Sequence, residues 1–197
     1  MNRFGIAIAG LLLLLLIGFA AVVRVTGPGW SGTSPHVVAP PPAAPGSPAP
    51  GGAPATLPVP VQGVARAQLS SSWSDPRDGG TRAHHAIDIP APRGTPVLAV
   101  ADGTIEKLYT SALGGLTVYE RTPDGGLVYY YAHLDRYAPQ LAEGQMVRAG
   151  QVLGAVGSTG DADARVPHLH FEIHRMAPGE AWWQGEELDP YPILRRG

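Results

Sequence analysis

After Met1-Asn2-Arg3 the chain turns uniformly apolar. Phe4 to Val23 carries no charge, and Leu11 to Leu16 is an unbroken run of leucine. Twenty helical residues rise about 30 Å, the thickness of a bilayer's hydrocarbon core. A surface helix would keep a polar side, and a core helix is disfavoured for so long a segment apolar on every face. The pattern predicts a transmembrane anchor over residues 1–24. A cleaved secretory signal is the alternative, with small residues at Gly18 and Ala20 spaced for cleavage. Either reading sends the rest of the chain out of the cytoplasm. Arg3 and the amino terminus favour a cytosolic N-terminus, although Arg24 at the other end weakens the asymmetry.

Between Arg24 and Arg66 there is no charged residue, and from Gly27 to Ala65 Pro, Gly and Ala fill 25 of 39 positions. Such a stretch buries too little apolar area to offset its ordering entropy. Residues 25–65 are therefore predicted to be a disordered linker, reaching on the order of 100 Å if fully extended at about 3.1 Å per residue. His36 lies in it and is read as a residue without a role.

From Arg66 to the end the pattern becomes strand and turn, which sets a third segment at 66–197. Pro96–Val100, Asp102-Gly103 and Thr104–Tyr109 predict one hairpin. Leu116–Tyr119 and Leu127–Tyr131, around Thr122-Pro123-Asp124-Gly125-Gly126, predict a second. Leu169, Phe171 and Ile173 are apolar at alternate positions, the signature of a half-buried strand. A short helix is expected around Tyr137–Ala142, and glycines at 144, 150, 154, 157 and 160 break any longer one. The tail from Trp182-Trp183 to Pro192 is expected to pack on the sheet, the alternative being tryptophans that line a groove. The fold class is all-β, an antiparallel β-sandwich-like domain expected to be a soluble monomer. A formal net charge of −2 and no basic patch with interleaved aromatics exclude a nucleic-acid partner.

The chemistry lies in the histidines. Of seven, four fall in Arg82-Ala83-His84-His85-Ala86-Ile87-Asp88 and Pro167-His168-Leu169-His170-Phe171-Glu172. A catalytic zinc takes three protein ligands, imidazole or carboxylate, and keeps a position for water. The chain has no cysteine, so a thiolate site is excluded. On a strand His168 and His170 project from one face, about 6.5–7 Å apart. That spacing suits one ligand and one companion base. In a straight strand His84 and Asp88 would stand about 13 Å apart, whereas two ligands of one zinc need donor atoms about 3–3.5 Å apart. The backbone must turn between them, near Ala86. His85 with Asp88 is the alternative chelating pair. Glu172, on the His168/His170 face, is either an acceptor that orients a ligand histidine or a solvated strand residue. His174 is read as merely hydrogen-bonded.

These segments resemble the lysostaphin-type, or LytM-like, zinc endopeptidases of bacterial peptidoglycan. The family's motifs are H-x-G-x-D, a Y-A-H-L segment and a P-H-L-H-F-E-type strand. They are matched by His84–Asp88, Tyr131-Ala132-His133-Leu134 and Pro167–Glu172; the glycine-rich stretch Gly144–Gly160 is also similar. The resemblance covers roughly residues 70–175. It implies Zn2+ held by His84, Asp88 and His170, with His133 and His168 as catalytic histidines that do not bind the metal. Ala86 stands where the family has glycine, so a positive φ there would cost about 1 kcal/mol. The chain lacks H-E-x-x-H, so a histidine rather than a glutamate must take the proton. The activity implied is hydrolysis of peptidoglycan stem or cross-bridge peptides, tethered outside the cytoplasmic membrane. The alternatives are a non-cutting regulator of a separate wall hydrolase, and a wall anchor with a structural zinc. A structural site would need four protein ligands.

Overall fold

The computed structural model describes residues 52–196. The apolar run, His36 and most of the predicted linker lie outside the described residues. Eleven strands and one helix follow in order: β1 (Pro76–Arg77), β2 (Arg82–Ala83), β3 (Ile87–Pro90), β4 (Pro96–Leu98), β5 (Gly103–Ser111), β6 (Gly115–Arg121), β7 (Leu127–Tyr137), β8 (Met146–Val147), β9 (Val152–Val156), β10 (His168–Arg175), β11 (Glu186–Leu188) and α1 (Pro190–Arg195). β1 and β2 form a small ribbon, and the other nine strands join one sheet. Every strand pairing is antiparallel, as the alternating pattern predicts. Among the described residues no helix is long and apolar enough to cross a membrane.

The alternation along β10 drives Leu169, Phe171 and Ile173 into the core, each fully buried. They meet Tyr129 and Tyr131 of β7, Ile87 and Ile89 of β3, and Leu153 of β9 in one hydrophobic cluster. Each large apolar side chain so buried contributes about 1.5–3 kcal/mol. The other face of β10 carries His168, His170 and Glu172. A carboxylate enters the core: Tyr131 Oη donates to Glu120 Oε2 at 2.6 Å, while Glu120 Oε1 is buried without a hydrogen-bond partner.

β7 is the hub. Residues Leu127–Ala132 pair with β10, whereas Leu134–Tyr137 pair with β9. On its other side β6 forms the predicted hairpin around Thr122–Gly126. The other predicted hairpin does not form. β4 pairs with β9, and β5 pairs with β6 and β8. Asp102 is the reason: its Oδ1 accepts from Ala149 N at 2.9 Å, tying the corner to the turn after β8 instead of closing it on β4.

Two further points bear on the expectations drawn from the sequence. Two residues before the expected boundary at 65/66 join the core. Leu57 and Val61 are buried core residues, and Val61 bridges to Val97. The segment's prolines read as linker, but Leu57, Val59 and Val61 alternate with Pro58 and Pro60, a pattern compatible with a sheet edge. There is no helix at 137–142: β7 continues to Tyr137, and Gln140 has φ 63°. The helix lies instead in the tail, where Asp189 Oδ1 accepts from Tyr191 N at 2.9 Å. Pro190 and Pro192 sit in its first turn, where a missing N–H costs nothing. The tail thus packs on the core through Ile193 and Leu194. Trp182 rests on Tyr119 and Tyr109, with ring centroids 4.6 and 5.3 Å apart, while Trp183 is exposed.

Candidate metal centre

The β3–β10 register sets Asp88 directly opposite His170. His84 comes from the segment before β3. The backbone turns at His85, whose φ is 56°, and not at Ala86, which is fully buried. The expected strain of about 1 kcal/mol therefore falls on His85. Ser72 clamps the turn: its carbonyl stands 3.0 Å from His84 Nδ1, and its hydroxyl accepts from Asp88 N at 3.0 Å. His85 points away, stacking on Trp73 at 4.8 Å and pairing with Glu187 at 2.7 Å. The pair His85 and Asp88 is thereby set aside.

His84, Asp88 and His170 converge, with one ligand atom from each within 4.8 Å of the others. His84 Nε2 is 2.9 Å from His170 Nδ1 and 3.0 Å from Asp88 Oδ1, and His170 Nδ1 is 3.3 Å from Asp88 Oδ1. The outer partners fix the tautomers. His84 Nδ1 faces the Ser72 carbonyl, so it carries the proton and leaves Nε2 bare. His170 Nε2 faces Glu172 Oε1 at 2.7 Å, which leaves its Nδ1 bare. Asp88 Oδ2 accepts from Arg77 at 2.5 Å, while Oδ1 is buried without a hydrogen-bond partner. Three donor atoms thus face one point, and a cation bound there would displace the proton that His170 holds. Tetrahedral bonds of about 2.0–2.2 Å set donor atoms about 3.3 Å apart, and the observed spacing fits a metal ion.

The electrostatics agree. Burial raises the Asp88 carboxyl, but His170 and His84 outweigh it and hold the group well below the usual carboxylate range. Burial lowers His170, yet Asp88 and Glu172 raise it to about 9. Both shifts favour a cation at the centre.

His168 opens β10, with Nδ1 2.9 Å from the Val166 carbonyl and Nε2 3.7 Å from Asp88 Oδ1. His133 reaches the same groove through a β-bulge. Between Tyr131 and Leu134 β7 advances three residues while β6 advances two, from Val118 to Leu116. The extra residue turns both Ala132 and His133 toward the groove. His133 has φ 59°, and its Nδ1 is 2.8 Å from the Thr159 carbonyl. Gly115 permits this approach: a Cβ there would stand 2.1 Å from Thr159 Oγ1. The His133 and His168 rings lie 5.0 Å apart. Both have Nδ1 against a carbonyl, so both offer a bare Nε2. Burial lowers the His133 pKa, opposed by its bond to Thr159, and keeps the ring neutral near neutral pH. The groove measures about 370 Å³ and includes Arg77, Tyr130 and Asp161 in its walls.

All five sequence-derived site residues thus line one groove. Ser72 and Arg77 escaped the sequence reading, since a serine in a serine run and a single arginine carry no distinguishing pattern. Glu172 orients His170 and is not merely solvated.

Comparison with known proteins accords with this geometry. The chain is 36% identical over 131 residues to the L-Ala--D-Glu endopeptidase of Bacillus subtilis, covering 64% of this chain and 39% of that protein. It is 37% identical over 98 residues to the peptidoglycan DD-endopeptidase ShyC of Vibrio cholerae, covering 50% of this chain and 22% of that one. The match thus spans well under half of either relative. Among solved structures, the catalytic domain of lysostaphin from Staphylococcus simulans superposes with a TM-score of 0.54 at 30% identity, covering 65% of this chain and 92% of that domain. The model of peptidase family M23 matches residues 82–190, more than half of the 197. The chain belongs to peptidase family M23.

Proposed function

We propose that this protein is a zinc-dependent endopeptidase that hydrolyses stem or cross-bridge peptides of bacterial peptidoglycan. The observation that carries the reading is the meeting of three donor atoms, from His84, Asp88 and His170, beside two histidines that line the same groove. Substrate class follows from the peptidoglycan endopeptidases it resembles. The uncharged run from Phe4 to Val23 supports a membrane tether that places the groove outside the cytoplasm.

Zinc, when bound by these three side chains, supplies Lewis-acid activation of water and of the scissile carbonyl. The rest falls to the protein. The bare Nε2 of His133 or of His168 takes the proton as water adds to the carbonyl carbon. The other imidazole, protonated, donates to the developing oxyanion. The captured proton then passes to the leaving amine as the C–N bond breaks. The Thr159 and Val166 carbonyls hold each Nδ1–H, so each ring presents Nε2 and not Nδ1.

Purified peptidoglycan incubated with the full chain, with and without a zinc chelator, tests this. Mass spectrometry of the fragments is expected to show metal-dependent peptide cleavage and to identify the bond. No release from a zinc-loaded chain would favour the non-cutting regulator.

A further inference from the structure

The floor of the groove continues past the metal centre, along the strand order β10-β7-β6-β5. Tyr130 of β7 stands opposite Glu172 on one side and opposite Tyr119 on the other. Its ring lies 5.9 Å from that of His170 and 4.7 Å from that of Tyr119. Trp182 rests on Tyr119 and Tyr109, and Trp183 meets Trp182 edge-on at 5.1 Å. An aromatic path thus leads from the groove to open surface, where Tyr109 is 44% and Trp183 63% exposed. Leu113, in the turn after β5, is exposed as well and lines the groove.

Single exposed apolar residues are ordinary, whereas several together beside a site mark a binding surface. This shelf is braced from behind. Glu180 N and Gln184 N donate to the Ala177 and Ala181 carbonyls at 3.2 and 2.9 Å, closing two successive turns. Ala181 N donates to Gln184 Oε1 at 2.8 Å. Arg121 ties the loop to β6 by donating to the Glu180 carbonyl at 3.1 Å. Trp183 is therefore held out to solvent on a fixed loop, and little freedom is lost when a ligand settles on it.

We propose that Tyr109, Trp182 and Trp183 form a glycan subsite, which stacks the N-acetylated pyranose rings of a sugar strand while the attached peptide enters the groove. The inference rests on the peptidoglycan reading given above, because that substrate joins peptides to sugars.

Three features favour a sugar. A β-linked pyranose presents flat, slightly positive C–H faces and a rim of hydroxyls. Aromatic faces are negative, and tyrosine and tryptophan add a hydroxyl and an indole N–H for the rim. The charges beside the shelf are already matched: Lys107 pairs with Glu143 at 2.9 Å, and Arg121 pairs with Glu106. They offer little to an anionic lipid surface. The reach is also right. Neighbouring strands lie about 4.8 Å apart, so β6 and β5 stand about 10–15 Å from β10. About three or four extended residues cover that span, the length of a short peptide running from a sugar on the shelf to the metal centre.

The test uses the full chain in a sugar-free detergent. The probe is the β-1,4-linked tetramer of N-acetylglucosamine, titrated by calorimetry up to about 10 mM, which covers weak millimolar binding. It carries no peptide, so binding is read apart from cleavage. Wild type is expected to bind it. Trp183→Ala is expected to weaken binding about tenfold, the scale of truncating an aromatic anchor. Trp183→Phe, which keeps a flat ring, should recover most of the affinity. Because Trp183 is exposed, both variants should melt like wild type. Absence of tetramer binding in wild type overturns the proposal, and so does equal affinity in wild type and Trp183→Ala. Sedimentation and quenching by brominated lipid would then show whether the shelf covers a second copy or rests on the bilayer. Release of wall fragments by the zinc-loaded chain is measured separately. Release without tetramer binding sinks the subsite alone. Tetramer binding that needs Trp183, without release, keeps the subsite and sinks the endopeptidase reading.

Discussion

His84 Nε2 lies 2.9 Å from His170 Nδ1 across 86 residues of sequence, and the far nitrogen of each ring faces an oxygen acceptor. Two such nitrogens are held together by a shared proton or by a metal cation that displaces it. His170→Ala and Asp88→Ala should therefore each lose bound zinc, because each removes one of three protein bonds. His85→Ala should keep it, since His85 pairs with Glu187 away from the cluster. Metal content of the purified variants checks this, and full zinc in His170→Ala would sink the ligand set.

His133 and His168 should matter for turnover and not for metal. Loss of a positioned acid or base costs about 100- to 10,000-fold. His133→Ala and His168→Ala should each slow release of wall fragments by at least about 100-fold, with zinc content little changed. Burial holds His133 below its ordinary 6.5. Acting as the base, His133 would already be deprotonated at neutral pH, and the rate should then fall only as pH drops below about 6.5. Wild-type rates in both variants would end the catalytic reading.

The buried Glu120 predicts a pH effect on stability unrelated to catalysis. Burial pushes its carboxyl up to about 7 from an ordinary 4.5, a nearby Asp102 adding to the effect and the Tyr131 hydrogen bond opposing it. Between these values the folded chain keeps a proton that the unfolded chain has released. The stabilisation is complete below about pH 4.5 and is lost as pH rises through about 7. At about 1.4 kcal/mol per unit, the full swing is on the order of 3 kcal/mol. Glu120→Gln should flatten the decline in melting temperature across this range. An equally steep decline in the variant would place its origin elsewhere.

A chain beginning at Arg66 should be less stable than one beginning at Gly52. Leu57 and Val61 are 6% and 1% exposed. At about 1.5–3 kcal/mol for each large buried apolar side chain, their loss should lower the urea-unfolding free energy by roughly 3 kcal/mol or more. Equal stability of the two chains would mean that residues 57–61 lie on the core without strengthening it.

The sequence made strand β10 legible because its alternation of Leu169, Phe171 and Ile173 with His168, His170 and Glu172 needs only a period of two. The β6–β7 hairpin was equally clear from Thr122–Gly126. What stayed hidden depends on distant partners. The pairing of β4 with β9 joins Val97 to Gly154 across an intervening corner that mimics a hairpin. The approach of His84 to Asp88 depends on a left-handed histidine and a clamp from Ser72, neither of which has a compositional signal. The helix α1 is six residues long, too short for a helical period to show, and its two prolines fall where helices tolerate them.

The bulge at His133 sets two demands on the chain against each other. A β7 shorter by one residue would run past β6 in unbroken register, with no left-handed histidine and less stored strain. It would also carry no imidazole opposite His168. Selection for thermal resilience alone would favour trimming that residue. Selection for turnover would keep it. Variants of this protein evolved only for heat tolerance are thus expected to shed activity here first, at a position where nothing in the metal cluster has changed.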